Sequence, residues 1–539
     1  MPTLRIRSVL FSLIALVICL PVLALISSLA EWNTSSALVL KEMLDTVLPN
    51  YALTSLILCT GVAIGVALLG TSTAAAVSLF NFPGKGFFEW ALLLPMAIPA
   101  YVVAYAYTDF LQFSGSLQNF IRNQTGLEGR VLPEIRSLGG AILVFSLALY
   151  PYVYLLARTA LSERATQLME AARMLGAPLQ RRITEVAIPL ARPAVAAGVA
   201  LALMETLADF GVASYFGIQT FTAGIYKAWL VMDNRIAAAQ LATVLLGIVL
   251  VLLQLEKNAQ SRMRFADLRS GIGASSDAQP TKLKGISAAV MTTWCALPLV
   301  FGFVLPVMLM LKPLLASEID VQWVRFFEWS LNSLRLGLMT AVLAVMLALL
   351  LTFNSRALQD VLGRMSSHVI GLGYAVPGAV VVVGLLLPVT WASQYWPDSK
   401  IGYWLTATVI GLIWAYLVRF CAVALQTVQS GYARIPKSLD DSSRMLGISG
   451  LQLLSRVHVP LLKRSILAAA LLVFVDVMKE LPTTLVLRPF NTDTLAVMAY
   501  QLARDERLGE AALPSLALVL VGLLPVMMLS RAMKQSSSR

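Results

Sequence analysis

The sequence predicts an all-α polytopic membrane protein of about twelve transmembrane helices, arranged as two tandem parallel six-helix repeats. Three observations lead there. The first is composition: 58% of the 539 residues are hydrophobic and 13% are charged, about half the charged share of a soluble domain. The second is a series of apolar runs long enough to cross a bilayer. The third is internal repetition. Residues 170–190 read EAARMLGAPLQRRITEVAIPL, and residues 441–461 read DSSRMLGISGLQLLSRVHVPL. Seven of these 21 positions are identical, including the whole run RMLG.

About 20 apolar residues cross the hydrocarbon as a helix. In the first half, runs of that kind cover roughly 8–30, 52–80, 87–113, 137–157, 193–216 and 238–255. In the second half they cover roughly 286–312, 331–353, 367–390, 401–427, 466–487 and 511–530. The first run has the basic start (Arg5, Arg7) and small-residue end of a cleavable signal. It is longer than the usual signal core of about 7–15 residues, and cleavage would leave an odd number of spans, so it is read as an uncleaved first span.

Orientation follows from lysine and arginine. With the N-terminus inside, the cytoplasmic segments hold 26 of the 41 basic residues and the outside segments hold 11. Basic residues favour the cytoplasm, so both termini are expected there. The net charge of +12 is then mainly an orientation signal. No stretch is long enough to form the basic soluble face that nucleic-acid binding requires. The four cysteines, Cys19, Cys59, Cys295 and Cys421, fall in spans without a CxxC pair and read as small apolar residues. The two histidines, His368 and His458, lie in cytoplasmic segments or at their edges, which argues against a histidine-based metal site.

The polar, basic segment 256–285 separates the halves and reads as a cytoplasmic linker. This gives a first half at 1–255 and a second at 286–539. The halves match beyond the loop. Ala97-Ile98-Pro99-Ala100 answers Ala375-Val376-Pro377-Gly378, and Thr54-Ser55-Leu56 answers Asn332-Ser333-Leu334. An even number of spans per half makes the repeats parallel, related by an axis along the membrane normal. Pro99 and Pro377 are expected to bend their spans.

In both copies the repeated loop lies on the expected cytoplasmic side, just before a span. EAARMLG suits a helix ended by a left-handed glycine. Ile183, Val186 and Ala187 share one face of the following segment, and Pro189 suits the first turn of the next helix. The expected product is two short helices joined by a turn on the membrane surface, a docking element.

This pattern resembles the EAA loop of ABC-type importer permeases. The first copy matches through Glu170, Ala171, Ala172, Gly176, Val186, Ile188 and Pro189. The second matches through Asp441, Ser442, Ser443, Gly447, Val457, Val459 and Pro460, departing at Asp-Ser-Ser for Glu-Ala-Ala. The resemblance implies a type I importer permease fold with both permease halves fused in one chain. It implies that each loop docks on one subunit of a cytoplasmic ATPase homodimer. Residues 92–107, 205–229 and 476–500 are similar to the ferric-iron branch of that family. That branch implies an inner-membrane path for Fe³⁺ delivered by a periplasmic iron-binding protein.

Intramembrane carboxylates are costly and usually face a cavity or a partner. Glu205 and Asp209 lie four apart, and Asp476 and Glu480 repeat the spacing. If the helix begins near Pro193, Glu205 lies about 18 Å along it. These four acids, with Tyr101, Tyr105 and Tyr215, are the candidate translocation path. No stable metal site is expected, only transient Fe³⁺ at the acids. The competing expectation is that Lys479 or Arg419 neutralises them structurally.

No catalytic set is present, and the chain lacks a GxxxxGK[ST] phosphate loop. It is therefore expected to bind no cofactor, ATP being used by the partner subunits. Two other readings stay open: the same importer class with thiamine, a polyamine or an oxyanion as cargo, and a twelve-span secondary transporter.

Overall fold

The computed structural model describes residues 2–30, 34–162, 166–269, 281–315, 322–358 and 369–537. His368 and the centre of the expected linker, 270–280, lie outside the described residues.

The first half supplies α1 (Pro2–Ser27), α2 (Leu48–Leu79), α3 (Ala100–Leu111), α4 (Leu138–Ala160), α5 (Thr166–Met174), α6 (Ile188–Ala208), α7 (Gly211–Phe216) and α8 (Arg235–Arg269). The second supplies α9 (Ile286–Leu315), α10 (Trp323–Leu358), α11 (Gly378–Tyr395), α12 (Val409–Tyr432), α13 (Lys437–Met445), α14 (Val459–Lys479), α15 (Pro482–Leu487), α16 (Leu495–Arg504) and α17 (Leu508–Ser537). Among the described residues, nine helices are long and apolar enough to cross a bilayer, or ten if one bent pair counts as a span. The other two expected spans are α1, apolar over the shorter stretch Leu13–Ser27, and α14, which carries Lys463, Arg464, Asp476 and Lys479.

Pro99 does more than bend its span. The chain turns by 88° between Lys85–Ala97 and Ala100–Thr125. A short 3₁₀ turn ends at Ala97, Pro99 is extended (φ −59°, ψ 140°), and α3 starts afresh. The second half repeats this, with a 3₁₀ turn at Gly373–Ala375, Pro377 extended (φ −58°, ψ 145°) and α11 beginning at Gly378. A fixed proline φ and a missing N–H make this a natural place for a new helix to start.

The chain divides into two compact units, and they do not follow the sequence halves. One comprises Met1–Glu42, Ile225–Leu246 and Gln322–Met498. Its centre is α10, α12 and α14 packed on one another, with α1 lying against α11. A side chain at Gly384 would come within 2.3 Å of the Pro21 carbonyl oxygen, so α11 needs a glycine where α1 crosses it. The other unit comprises Met43–Gly224, Gly247–Val321 and Ala499–Arg539. Its centre is α2, α4 and α6, with α9 against α3 and α17. The span that opens each half thus packs in the unit built mainly by the other half.

Side-chain contacts confirm the repeat. Ser55 Oγ accepts the backbone N–H of Phe221 at 2.9 Å, and Ser333 Oγ accepts that of Leu495 at 2.8 Å. Thr220 and Thr494 each accept a backbone N–H three residues on, both at 3.4 Å.

With no hydrophobic drive between helices in lipid, close approach and small residues hold them together. Gly70 on α2 and Gly198 on α6 both meet α4 at Val153. A Cβ at Gly70 would fall 2.6 Å from Val153 Cβ, and one at Gly198 would fall 2.6 Å from Val153 Cα. A Cβ at Gly247 meets nothing within 4 Å. Gly198→Val is expected to destabilise the detergent-solubilised protein by about 1–3 kcal/mol, the usual cost of overpacking. Gly247→Val serves as the near-neutral control, and thermal unfolding followed by size exclusion measures both.

Candidate functional site

The two loops share one backbone design. α5 is closed two residues past its end by Gly176 (φ 83°), and α13 likewise by Gly447 (φ 79°). In each, the residue after the glycine reaches back five residues, Ala177 N–H to Ala172 O and Ile448 N–H to Ser443 O, both at 3.0 Å. The glycine N–H bonds the carbonyl three residues earlier. This is a Schellman closure, and it requires a residue that tolerates positive φ.

Beyond the closing glycine the structure departs from expectation. The second short helix of the first copy is not separate: Leu179–Ala208 runs as one helix from loop into span. The join is a π turn, Ile183–Ala187, in which the Ile188 N–H bonds Ile183 O. The second copy has its π turn at Leu454–His458, with Val459 N–H on Leu454 O. Each π turn lies directly before the Pro-containing turn at Pro189 or Pro460. Proline there has no N–H and crowds the carbonyl four residues back, and the widened turn accommodates it.

Glu170, Ala171, Gly176, Asp441, Ser442 and Gly447 are exposed, Ala172, Pro189 and Ser443 less so or buried, and Pro460 exposed. The most exposed apolar side chains of the loops are Met174, Leu175, Met445 and Leu446, at 84, 88, 90 and 79%. They are the ML of the identical run RMLG. The identity was visible in the sequence, but only the structure shows that these side chains face outward.

The paired acids do not lie on one unbroken helix face. α6 stops at Ala208 and α14 at Lys479, and Asp209 and Glu480 are both extended residues at a break. Asp209 Oδ1 accepts the N–H of Val212 at 2.8 Å, capping α7. Glu480 caps α15: its two oxygens accept the N–H groups of Thr483 and Thr484, both at 3.0 Å, and Oε2 also accepts the Thr484 hydroxyl at 2.8 Å. Arg419 Nη1 lies 2.9 Å from Glu480 Oε1, and the Glu480 side chain is 1% exposed. Glu480 is therefore committed to holding the break, as the structural expectation for Arg419 required. The matching position to Arg419 in the first half is Ala148, so the repeat does not supply Asp209 with an arginine there. Glu205 and Asp476 stay on their helices, each half-buried.

The three expected tyrosines do come together. Tyr105 lies between Tyr101 and Tyr215, with ring centroids 5.6 and 4.6 Å away. All three are buried. Arg136 stacks on Tyr215 at 4.9 Å and donates to its hydroxyl at 3.3 Å. Tyr500, not foreseen from the sequence, joins through a 2.7 Å hydrogen bond with Ser214. The Tyr105 hydroxyl has no hydrogen-bond partner among the described residues. Tyr101, Tyr215, Tyr500 and Asp209 all lie near enough to act on it electrostatically. Among the described residues, no group of three or more His, Cys, Asp or Glu could hold a metal ion.

A further polar cluster went unnoticed in the sequence. His458 is fully buried, with Nε2 3.1 Å from Asp440 Oδ1 and Nδ1 3.2 Å from the Tyr432 hydroxyl. Asp440 also receives Arg356 through Nε at 2.7 Å and Nη2 at 3.2 Å. Burial alone would push the Asp440 carboxyl up, but the hydrogen bonds from Arg356 and His458 outweigh it and hold it below the usual carboxylate range. The stabilisation from this group is therefore complete above about pH 4 and lost only as pH falls through the lowered value.

Residues 67–265 and 341–539 each match the family described as binding-protein-dependent transport system inner membrane component. The chain is 26% identical over 538 residues, 97% of each protein, to the Fe(3+)-transport system permease protein FbpB 2 of Haemophilus influenzae. It is 24% identical over 441 residues, 77% of this chain and 61% of the relative, to the ferric transport system permease protein FbpB of Actinobacillus pleuropneumoniae. A shorter match, 26% over 201 residues, covers 37% of this chain and 70% of the putative 2-aminoethylphosphonate transport system permease protein PhnU of Salmonella choleraesuis. These findings set aside the secondary-transporter reading. Each matched segment contains one complete loop and the helix break that follows it, so the chain belongs to the binding-protein-dependent transport system inner membrane component family, as a multi-pass transport subunit with two permease units in a single polypeptide.

Proposed function

We infer that this chain is the membrane path of an ATP-driven importer for ferric iron. It would take Fe³⁺ from a periplasmic binding protein and be driven by two cytoplasmic ATPase subunits. The observation that carries the cargo is the end-to-end match to a relative named for Fe(3+) transport. The chemistry agrees with it. Fe³⁺ is a small, hard, trivalent ion that favours oxygen ligands, and the first half gathers phenol and carboxylate oxygens around Tyr105 and Asp209. The phosphonate-named relatives match over 201 residues, 37% of this chain, and acids at the breaks would repel an anionic cargo.

The docking surfaces are the outward Met-Leu tips with Glu170 or Asp441 beside them, on the cytoplasmic side if the basic-residue count sets the orientation. The chain itself holds no nucleotide in this reading; hydrolysis belongs to the partner subunits. Leu179–Ala208 is one helix, about 45 Å long at 1.5 Å per residue. A push on the loop by a closing ATPase dimer is thus delivered along a continuous rod to Asp209. Once the helix moves, Asp209 is the carboxylate freer to meet cargo, because Glu480 is held by Arg419 and by its cap.

Two outcomes test this. Proteoliposomes with this chain, its co-purifying ATPase and a candidate binding protein are expected to take up radiolabelled Fe³⁺ only with ATP, and Gly176→Asp with Gly447→Asp is expected to abolish uptake. ATP hydrolysis stimulated by a binding protein without iron movement would discard the cargo and keep the class. Separately, Asp209→Asn is expected to cut uptake at least tenfold with normal expression. Arg419→Met alone leaves the buried Glu480 charge uncompensated and should cost about 3–5 kcal/mol of stability. The pair Arg419→Met with Glu480→Gln should recover most of that loss in a thermal melt.

A further inference from the structure

Two tyrosines occupy matching positions in the repeat. Each lies six residues after one of the paired threonines Thr220 and Thr494, as Tyr226 and Tyr500. Both are buried, at 6 and 1% exposure. Tyr226 ends the α-helical stretch Phe221–Tyr226, and Tyr500 lies within α16. Each hydroxyl bonds the short helix that follows the acid break of the other half. Tyr226 donates to the carbonyl of Pro482, the first residue of α15, at 3.3 Å. Tyr500 shares its 2.7 Å hydrogen bond with Ser214 of α7, and its ring lies 6.2 Å from that of Phe210, the residue after Asp209. Tyr226 and Pro482 belong to one compact unit, and Tyr500 and Ser214 to the other.

The first residues of these two helices stay with their own half. Ser55 and Ser333, which accept the N–H groups of Phe221 and Leu495, belong to α2 and α10. A Cβ at Gly224 would fall 2.6 Å from the Tyr51 ring, so this helix lies directly on α2. The Thr222 hydroxyl donates to the carbonyl of Leu207 at 2.9 Å, one residue before α6 ends. The stretch Phe221–Tyr226 is thus bonded to the end of α6 by Thr222 and to the start of α15 by Tyr226. The two residues are about 6 Å apart along the axis at 1.5 Å per residue. A helical segment that short is a rigid element, the kind that carries coupling between sites. Removing a hydroxyl leaves its buried partner without a hydrogen bond, so the contact is costly to break.

We propose that Tyr226 and Tyr500 are positioning residues that lock each helix break to a helix of the opposite half, so that both breaks move whichever loop is pushed. This rests on the reading of the two loops as ATPase-docking elements. Under it, movement of α14 and α15 draws Phe221–Tyr226 with it and so reaches the end of α6. Movement of α6 and α7 reaches the second half through α16.

The test uses the complete transporter with its ATPase and disables one loop by Gly447→Asp. Amide exchange is read over 210–217 and 481–488, without nucleotide and with ATP trapped by vanadate. With both hydroxyls present, trapping should change exchange several-fold at both breaks, although only the first loop is intact. Adding Tyr226→Phe and Tyr500→Phe keeps the rings and removes the bonds. The change should then remain at α7 and vanish at α15. In the chain with both loops intact, the same tyrosine pair should raise ATP hydrolysed per Fe³⁺ imported several-fold. A purely structural role predicts a lower melting temperature with the response still seen at both breaks, and that result overturns the proposal. A response confined to α7 while both hydroxyls are present also overturns it. If the tyrosine pair does not fold, Ser214→Ala with Gly176→Asp decides by the reverse reading: the response should stay at α15 and vanish at α7. No response at either break in the native chain would remove the ATPase-coupling reading and the proposal with it. Absent iron uptake with both responses intact would remove the cargo alone.

Discussion

A backbone that leaves the helix inside hydrocarbon must bring its own hydrogen-bond partners, because no water is there to supply them. This constraint governs the irregular features of the chain. At Glu480 the partners are a carboxylate and two threonines, with Arg419 balancing the charge. At Asp209 an aspartate performs the cap. At Pro189 and Pro460, beside the exposed loops where water is within reach, the chain instead widens into a π turn that makes room for the proline ring. At Pro99 and Pro377 it stops and starts again. The acids that look like cargo ligands in the sequence are first the groups that make a break in the helix tolerable. Transport chemistry is laid on top of that requirement.

The two halves show how much freedom the constraint leaves. Their backbones agree at the loop closure, at the π turn, at both helix breaks and at the serine that holds Phe221 or Leu495. Their side chains diverge wherever a second solution exists. One break carries an ion pair and the other a capping aspartate. A duplicated chain can keep a single mechanical outline while its buried side chains vary, since backbone hydrogen bonding fixes the outline.

Much of this was legible in the sequence. Apolar length marked the spans, because a bilayer sets a simple requirement on length and polarity. RMLG and the closing glycines marked the loops, because positive φ restricts residue choice. The breaks at Asp209 and Glu480 were not legible: ETLADF and DVMKEL carry no glycine or proline inside them, and a four-residue spacing reads as a helix face. The packing of α1 with α11 was also hidden, since apolar helices that meet through Pro21 and Gly384 leave no pattern that names the partner. The Arg356 cluster had one faint signal, four positions at which the aligned repeats change together from small or apolar to polar.

The exchange of opening spans has a consequence for how the chain is made. A ribosome delivers α1 long before α11, the helix it packs against, exists. Through the synthesis of the whole first half, α1 must stay in the lipid without its final neighbours, stable as a single helix but not yet docked. The other unit is delayed in the same way, since α2, α4 and α6 wait for α9 and then for α17 at the far end of the polypeptide. Neither unit can close until its second-half helices have been made, so neither is complete when the first half leaves the ribosome.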